Sequence, residues 1–152
     1  MPDTAPRIEL TPIGYVASRY ATADGVPSQS TENTAETGRV VVDERYRDGL
    51  DGLDAFPYVW LLTWLHAQRD EDTADLRVVP RALESTGGTR GVFATRSPHR
   101  VNRLGLSLVR VVRVEAGTVH FTGVDLVDGT PVLDIKPWFP GTDTPPDRPD
   151  PA

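Results

Sequence analysis

Cysteine is absent from this 152-residue chain, which excludes disulfide scaffolds, zinc–thiolate sites, iron–sulfur clusters and a cysteine nucleophile. Histidine is scarce as well. Three scattered histidines are too few for a multi-histidine metal site, so no metal is expected. Lysine is almost missing: of 16 basic residues, only Lys136 is not an arginine. No apolar run approaches membrane length, and Met1 to Leu10 lacks the basic start and apolar stretch of a secretory signal. The expectation is a soluble, cytoplasmic protein with no membrane partner. The sequence shows no Ser/His/Asp order, no helix with paired histidines and no phosphate loop, which weighs against hydrolase and nucleotide triphosphatase chemistry. No long amphipathic helix is visible, which weighs against a doubly wound cofactor-binding fold.

Hydrophobic residues make up 38% and charged residues 25% of the chain, enough apolar material for one core in one domain. The net charge of -6 is unevenly spread. Between Arg81 and Arg113 stand seven arginines and a single acid, Glu84, a local balance of +6. Such a segment suggests an anion site, or a solvated arginine-rich surface. Residues 1–6 look unstructured, and residues 141–152, with four prolines among acids and small residues, look disordered. The folded domain is therefore placed at residues 7–140.

Within that domain the apolar runs are short, valine-rich and punctuated by glycine or proline, the pattern of strands. Candidates are residues 8–19, 38–42, 58–66, 76–80, 91–95, 106–115, 119–124 and 132–135, with a helical turn at 44–49. The fold class is all-β: a small barrel or sandwich with short helical turns. Residues 58–65 are apolar on both faces, so this strand is expected to be covered on both sides or to lie at a subunit contact.

Several positions could carry chemistry. His66 ends the most apolar strand, where it is either a hydrogen-bonded structural residue or the lip of a pocket. The turn after residues 91–95 presents Arg96, Ser97 and Arg100, either an anion clamp or an ordinary loop. Strand alternation puts Asp134 and Lys136 on one side with Val132, and Leu133 and Ile135 on the other. This acid and the only lysine could orient a substrate or merely pair.

These segments, taken in order, resemble the TrmO/TsaA-like family of S-adenosylmethionine-dependent tRNA methyltransferases. The matching runs are Pro12-Ile13-Gly14-Tyr15-Val16-Ala17-Ser18 and Gly52 to Leu62 with His66, then Gly91 to Ser97 with Pro98, Asn102 and Gly105-Leu106-Ser107. The last is Asp125 to Lys136 with Pro137. The resemblance implies a barrel of about seven strands and a homodimer with its site near the subunit contact. It also implies S-adenosylmethionine as methyl donor, and tRNA carrying threonylcarbamoyladenosine as acceptor, methylated on N6. By position, the donor pocket falls on Gln29, Ser30 and Thr31, on His66, Ala67, Arg96 and Leu106, and on Thr122, Gly123, Val124 and Asp125.

An in-line methyl transfer depends on alignment, with an acid or base to manage the acceptor proton; Asp134, beside Lys136, is the candidate. Arg100, Asn102 and Arg103 fall on the substrate side. There the chain departs from the family, reading Arg100-Val101-Asn102-Arg103 where Arg-Pro-Asn-Pro is common. It also has Pro27-Ser28-Gln29 for Pro-Arg-Gln, and Ala67 where glutamine commonly follows the histidine. Loss of two prolines frees φ on either side of Asn102. Three functions follow for comparison: a tRNA methyltransferase, a methyltransferase acting on a small molecule, and a donor-binding sensor without catalysis.

Overall fold

A computed structural model describes residues 7–68 and 75–147. Six antiparallel strands close into a barrel in the order β1-β2-β7-β6-β3-β8. They are β1 (Gly14–Ala17), β2 (Thr37–Val42), β3 (Tyr58–Trp64), β6 (Leu104–Glu115), β7 (Thr118–Thr122) and β8 (Pro131–Pro137). A separate two-stranded sheet pairs β4 (Arg77–Val78) with β5 (Arg90–Gly91). The all-β barrel is as expected, with six strands in the closed wall instead of about seven.

Period-two alternation fills the interior. Val16, Val40, Val42, Val59, Leu61, Val109, Val119, Phe121 and Val132 are all buried to within 1%, each from the inward parity of its strand. Phe121, the largest of them, has room because its cross-strand partner is Gly38. A Cβ at Gly38 would lie 2.7 Å from the Phe121 ring. The β6–β7 hairpin turns on Ala116 and Gly117, both at positive φ (49° and 77°), the handedness that two-residue hairpin loops need.

The structure differs from the sequence expectation at several points. Residues 91–95, expected as a strand, form only the β5 pairing at Arg90–Gly91 and then a 3₁₀ turn at Val92–Ala94. The register between β3 and β8 shifts at Leu62/Thr63, where Leu62 faces Asp134 but Thr63 faces Val132. This bulge at Leu133 flips the alternation, so Val132 is a core residue and does not share a side with Asp134. The expected disordered tail begins with one helical turn, α1 (Pro140–Asp143), in which the Phe139 amide donates to Asp143 Oδ2 at 2.8 Å. Residues 1–6, and the tail from 148 onward, lie outside the described residues. The turn expected at 44–49 is a 3₁₀ helix, Glu44–Leu50, with Asp43 as its cap.

The outward side of β3 is as apolar as its inward side. Trp60, Leu62 and Trp64 face out, only part-buried, opposite Leu108, Leu106 and Leu104 of β6. Leu104 and Leu106 are 46% and 58% exposed, an apolar strip left uncovered by the single chain.

Candidate functional site

Three segments meet at one end of the barrel. The first is the 3₁₀ turn Ser30–Glu32 with Gln29 before it. The second is the stretch that leaves β7, Thr122 to Asp125, and the third is the inward face of β6 at Ser107. Asn33 ties the first two, its side-chain amide donating to the Val124 carbonyl at 2.9 Å and to Glu36 at 2.7 Å. Tyr20 also donates its hydroxyl to Glu36. These bonds, the Tyr20 hydroxyl first and Asn33 next, hold the Glu36 carboxyl below its ordinary value. Gly123 sits at φ +95°, and a Cβ there would lie 3.1 Å from the Ser30 carbonyl. Glycine thus provides both the backbone turn and the close approach.

Asp125 is the charged centre of this cluster. Ser107 donates its hydroxyl to Asp125 Oδ1 at 2.7 Å, and the Ser30 amide also donates to the carboxylate. Burial nevertheless dominates and pushes the carboxyl up to about 6, while the Ser107, Ser30 and own-amide hydrogen bonds and the nearby Arg96 charge pull the other way. Arg96 reaches across to donate to Gln29 Oε1 at 2.6 Å. The structure therefore assembles Gln29, Ser30, Arg96, Gly123, Val124 and Asp125 around one place, while Thr122, at the end of β7, lies on the outward parity opposite Thr37 and Arg110. Thr31 is exposed beside it.

The end of β3 adds two unusual atoms. The Thr63 hydroxyl and His66 Nδ1 are buried with no hydrogen-bond partner among the described residues. Buried polar atoms ordinarily find a partner, so both are suited to meet a bound molecule. Ala67 is exposed next to His66. Leu106 points outward, 58% exposed, on the opposite face of β6 from Ser107.

The residues that the resemblance puts on the substrate side are each tied into the fold or exposed beside it. Arg100 donates to the carbonyls of Val92, Thr95 and Ser97 at 3.1, 2.8 and 3.4 Å, and so braces the loop after β5. Arg103 donates to the Gln68 carbonyl at 2.7 Å and stacks over Trp64 at 4.5 Å. Arg103 also has φ +51°, which a proline, fixed near -65°, could not adopt. Asn102 is exposed between them. Asp134 and Lys136 pair at 3.0 Å on the outward side of β8, and Asp134 also accepts from the Ile135 amide.

Ser107 and Thr63 were not among the site residues read from the sequence. Their signal was a hydroxyl at an inward position of a strand otherwise filled by valine and leucine. No cluster of metal-binding side chains occurs among the described residues.

Comparison with known proteins gives concordant results. The family described as tRNA-methyltransferase O N-terminal domain matches residues 15–144. A Pseudomonas aeruginosa protein is 41% identical over 142 residues, covering 91% of this chain and 58% of that one. The mouse tRNA (adenine(37)-N6)-methyltransferase is 39% identical, over 88% of this chain and 31% of the relative. An S-adenosyl-L-methionine-binding protein of Archaeoglobus fulgidus is 38% identical over 88% of this chain and 91% of its own length. The crystal structure of TrmO from Pseudomonas aeruginosa superposes with a TM-score of 0.74 at 35% identity, covering 93% of this chain and 60% of that one. The chain thus spans little more than half of the bacterial relatives.

Proposed function

Because the chain belongs to the tRNA-methyltransferase O N-terminal domain family, we propose that it is an S-adenosylmethionine-dependent methyltransferase whose acceptor is N6 of threonylcarbamoyladenosine beside the anticodon of tRNA. The observation that supports this reading is the seat at the barrel end, where the buried acid Asp125, held by Ser107 and Ser30, lies near the guanidinium of Arg96. S-adenosylmethionine combines a sulfonium cation, a carboxylate and an adenine, and supplies an electrophilic methyl group. The residues fit that set. Asp125 would face the cation, Arg96 the carboxylate, and the 29–31 and 122–125 backbones the base, with His66 and Thr63 free to donate or accept.

On the acceptor side, N6 gains the methyl and gives up its proton. We assign that proton to Asp134, whose carboxylate is held by Lys136 and remains 45% exposed. It shares an outward row with Leu62 and Leu106, two strand spacings or about 10 Å from the latter. The outward apolar strip of Trp60, Leu62, Trp64, Leu104 and Leu106 is the surface that a second copy would cover, bringing the donor seat close to the subunit contact. No helix among the described residues is long and apolar enough to cross a membrane, and the cytoplasm is where this reading places the protein.

The test is to incubate the protein with S-adenosylmethionine and tRNA bearing threonylcarbamoyladenosine, digest to nucleosides and look for the methylated product by mass spectrometry. Its appearance, and its loss in Arg96→Ala, supports the reading. Donor binding without methylated tRNA would move the acceptor to a small molecule, and no methylation of any acceptor would leave a sensor.

A further inference from the structure

Six of the seven arginines in the basic segment already have partners. Arg81 donates to the Ser28 hydroxyl, Arg90 to the Thr89 carbonyl and Arg96 to Gln29. Arg100 and Arg103 hold backbone carbonyls, and Arg113 is paired with Glu115 at 2.7 Å. Arg110 alone has no hydrogen bond or ion pair with a described residue, and the same is true of Arg39 on β2. Sheet register brings these two onto one face.

Across the outside of β2, β7 and β6, Arg39 lies opposite His120, and His120 opposite Arg113. One row along, Thr37 lies opposite Thr122, and Thr122 opposite Arg110, which in turn faces Tyr58 of β3. Their inward neighbours Gly38, Val40, Val109, Val119 and Phe121 are buried, so alternation turns this whole set outward. The register shift between Val111 and Arg113 bulges β6 and leaves Val112 53% exposed beside Arg113. Glu115 is the acid on this face, and it is already engaged by Arg113 and by His120 at 3.4 Å. Thr122, at the head of the face, opens the stretch that leads to Asp125.

We infer that this outward face of β2, β7 and β6, with Arg39 and Arg110 as its contacts, is the track along which the RNA phosphate backbone lies as the acceptor base reaches the donor seat. The inference rests on the tRNA reading above and adds where the nucleic acid binds. An acidic chain of net charge -6 repels polyanions in general, so binding must be concentrated where unpaired guanidiniums stand together. Arginines suit phosphate because their planar fork donates two parallel bonds, and the exposed Tyr58 supplies a ring beside Arg110 on which an unstacked base can rest.

The experiment compares wild-type protein, Arg39→Ala/Arg110→Ala, and Arg45→Ala as a control on a remote surface arginine. Labelled tRNA binding is followed by fluorescence anisotropy across a potassium chloride series, and S-adenosylmethionine binding by calorimetry. The double variant should bind tRNA at least tenfold more weakly, and its log-affinity against log-salt slope should be shallower by about 1.5–2, the loss of two phosphate contacts. Donor affinity and the control should not change. Wild-type affinity and slope in the double variant would overturn the track while leaving the tRNA reading intact, as would an equal loss in Arg45→Ala. Failure of the wild-type protein to bind tRNA at any salt concentration would overturn both.

Discussion

Replacing Asp125 with asparagine should stabilise the free protein near neutral pH while weakening its hold on the methyl donor. The carboxyl is displaced from an ordinary 3.8 to about 6. At about 1.36 kcal/mol per tenfold change in proton affinity, its ionised form is disfavoured on folding by about 3 kcal/mol at most. The sign follows from linkage. Between about pH 4 and pH 6 the folded chain keeps a proton that the unfolded chain has released, so stability falls as pH rises through that window and stays low above it. Asparagine has no charge to bury. It can still accept from Ser107, but it gives up a second acceptor oxygen, at about 1 kcal/mol. The net gain is then about 1–2 kcal/mol at pH 7.5 and close to zero at pH 4. Urea denaturation of both proteins at the two pH values measures this directly, and calorimetry with S-adenosylmethionine should show at least a tenfold loss of affinity. An Asp125→Asn protein less stable than wild type at pH 7.5, or a stability difference independent of pH, would refute the burial argument.

Other consequences can be checked with single variants. Donor affinity of the wild-type protein should drop as pH falls below about 6, where Asp125 gains its proton; a flat profile from pH 5 to 8 would remove the carboxylate from the donor's cation. Thr63→Val keeps the shape of a fully buried side chain but deletes its unpartnered hydroxyl, and should raise free-protein stability by about 1 kcal/mol while lowering donor affinity. Gly123→Ala forces φ +95° on a residue with a Cβ and presses it to 3.1 Å from the Ser30 carbonyl, so it should cost about 1–2 kcal/mol in thermal unfolding and disturb the seat. Asp134→Asn should lower kcat about a hundredfold with donor affinity intact; full turnover would take proton transfer away from this residue.

Most of the barrel could be read from the chain because a closed wall imposes strict alternation, and valines at every second position record it. The reading failed where a single residue breaks the alternation. The bulge at Leu133 separated Val132 from Asp134, which no local composition announces. Residues 91–95 are apolar enough for a strand, yet Val92 alone is buried while Phe93 stands 77% exposed, because the chain is already turning toward the Arg100-braced loop. Candidate site residues carried on backbone turns, such as Gly123 and Ser30, came from the family resemblance and not from local pattern. By contrast Ser107 was visible in principle as a hydroxyl on an inward parity. The arginines at positions 100 and 103 illustrate what counting charge leaves out: the local balance of +6 does not show that Arg100 holds backbone carbonyls or that Arg103 bonds the Gln68 carbonyl and stacks over Trp64.

The most direct test of the donor seat is amide chemical-shift mapping by NMR as S-adenosylmethionine is added to isotopically labelled protein. Shifts concentrated at residues 29–31, His66, Arg96 and residues 122–125, and absent around Arg47 and Gly117 at the opposite end of β7, are the predicted result. Shifts clustered away from Ser30 and Asp125, or no shifts at a saturating donor concentration, would contradict the account.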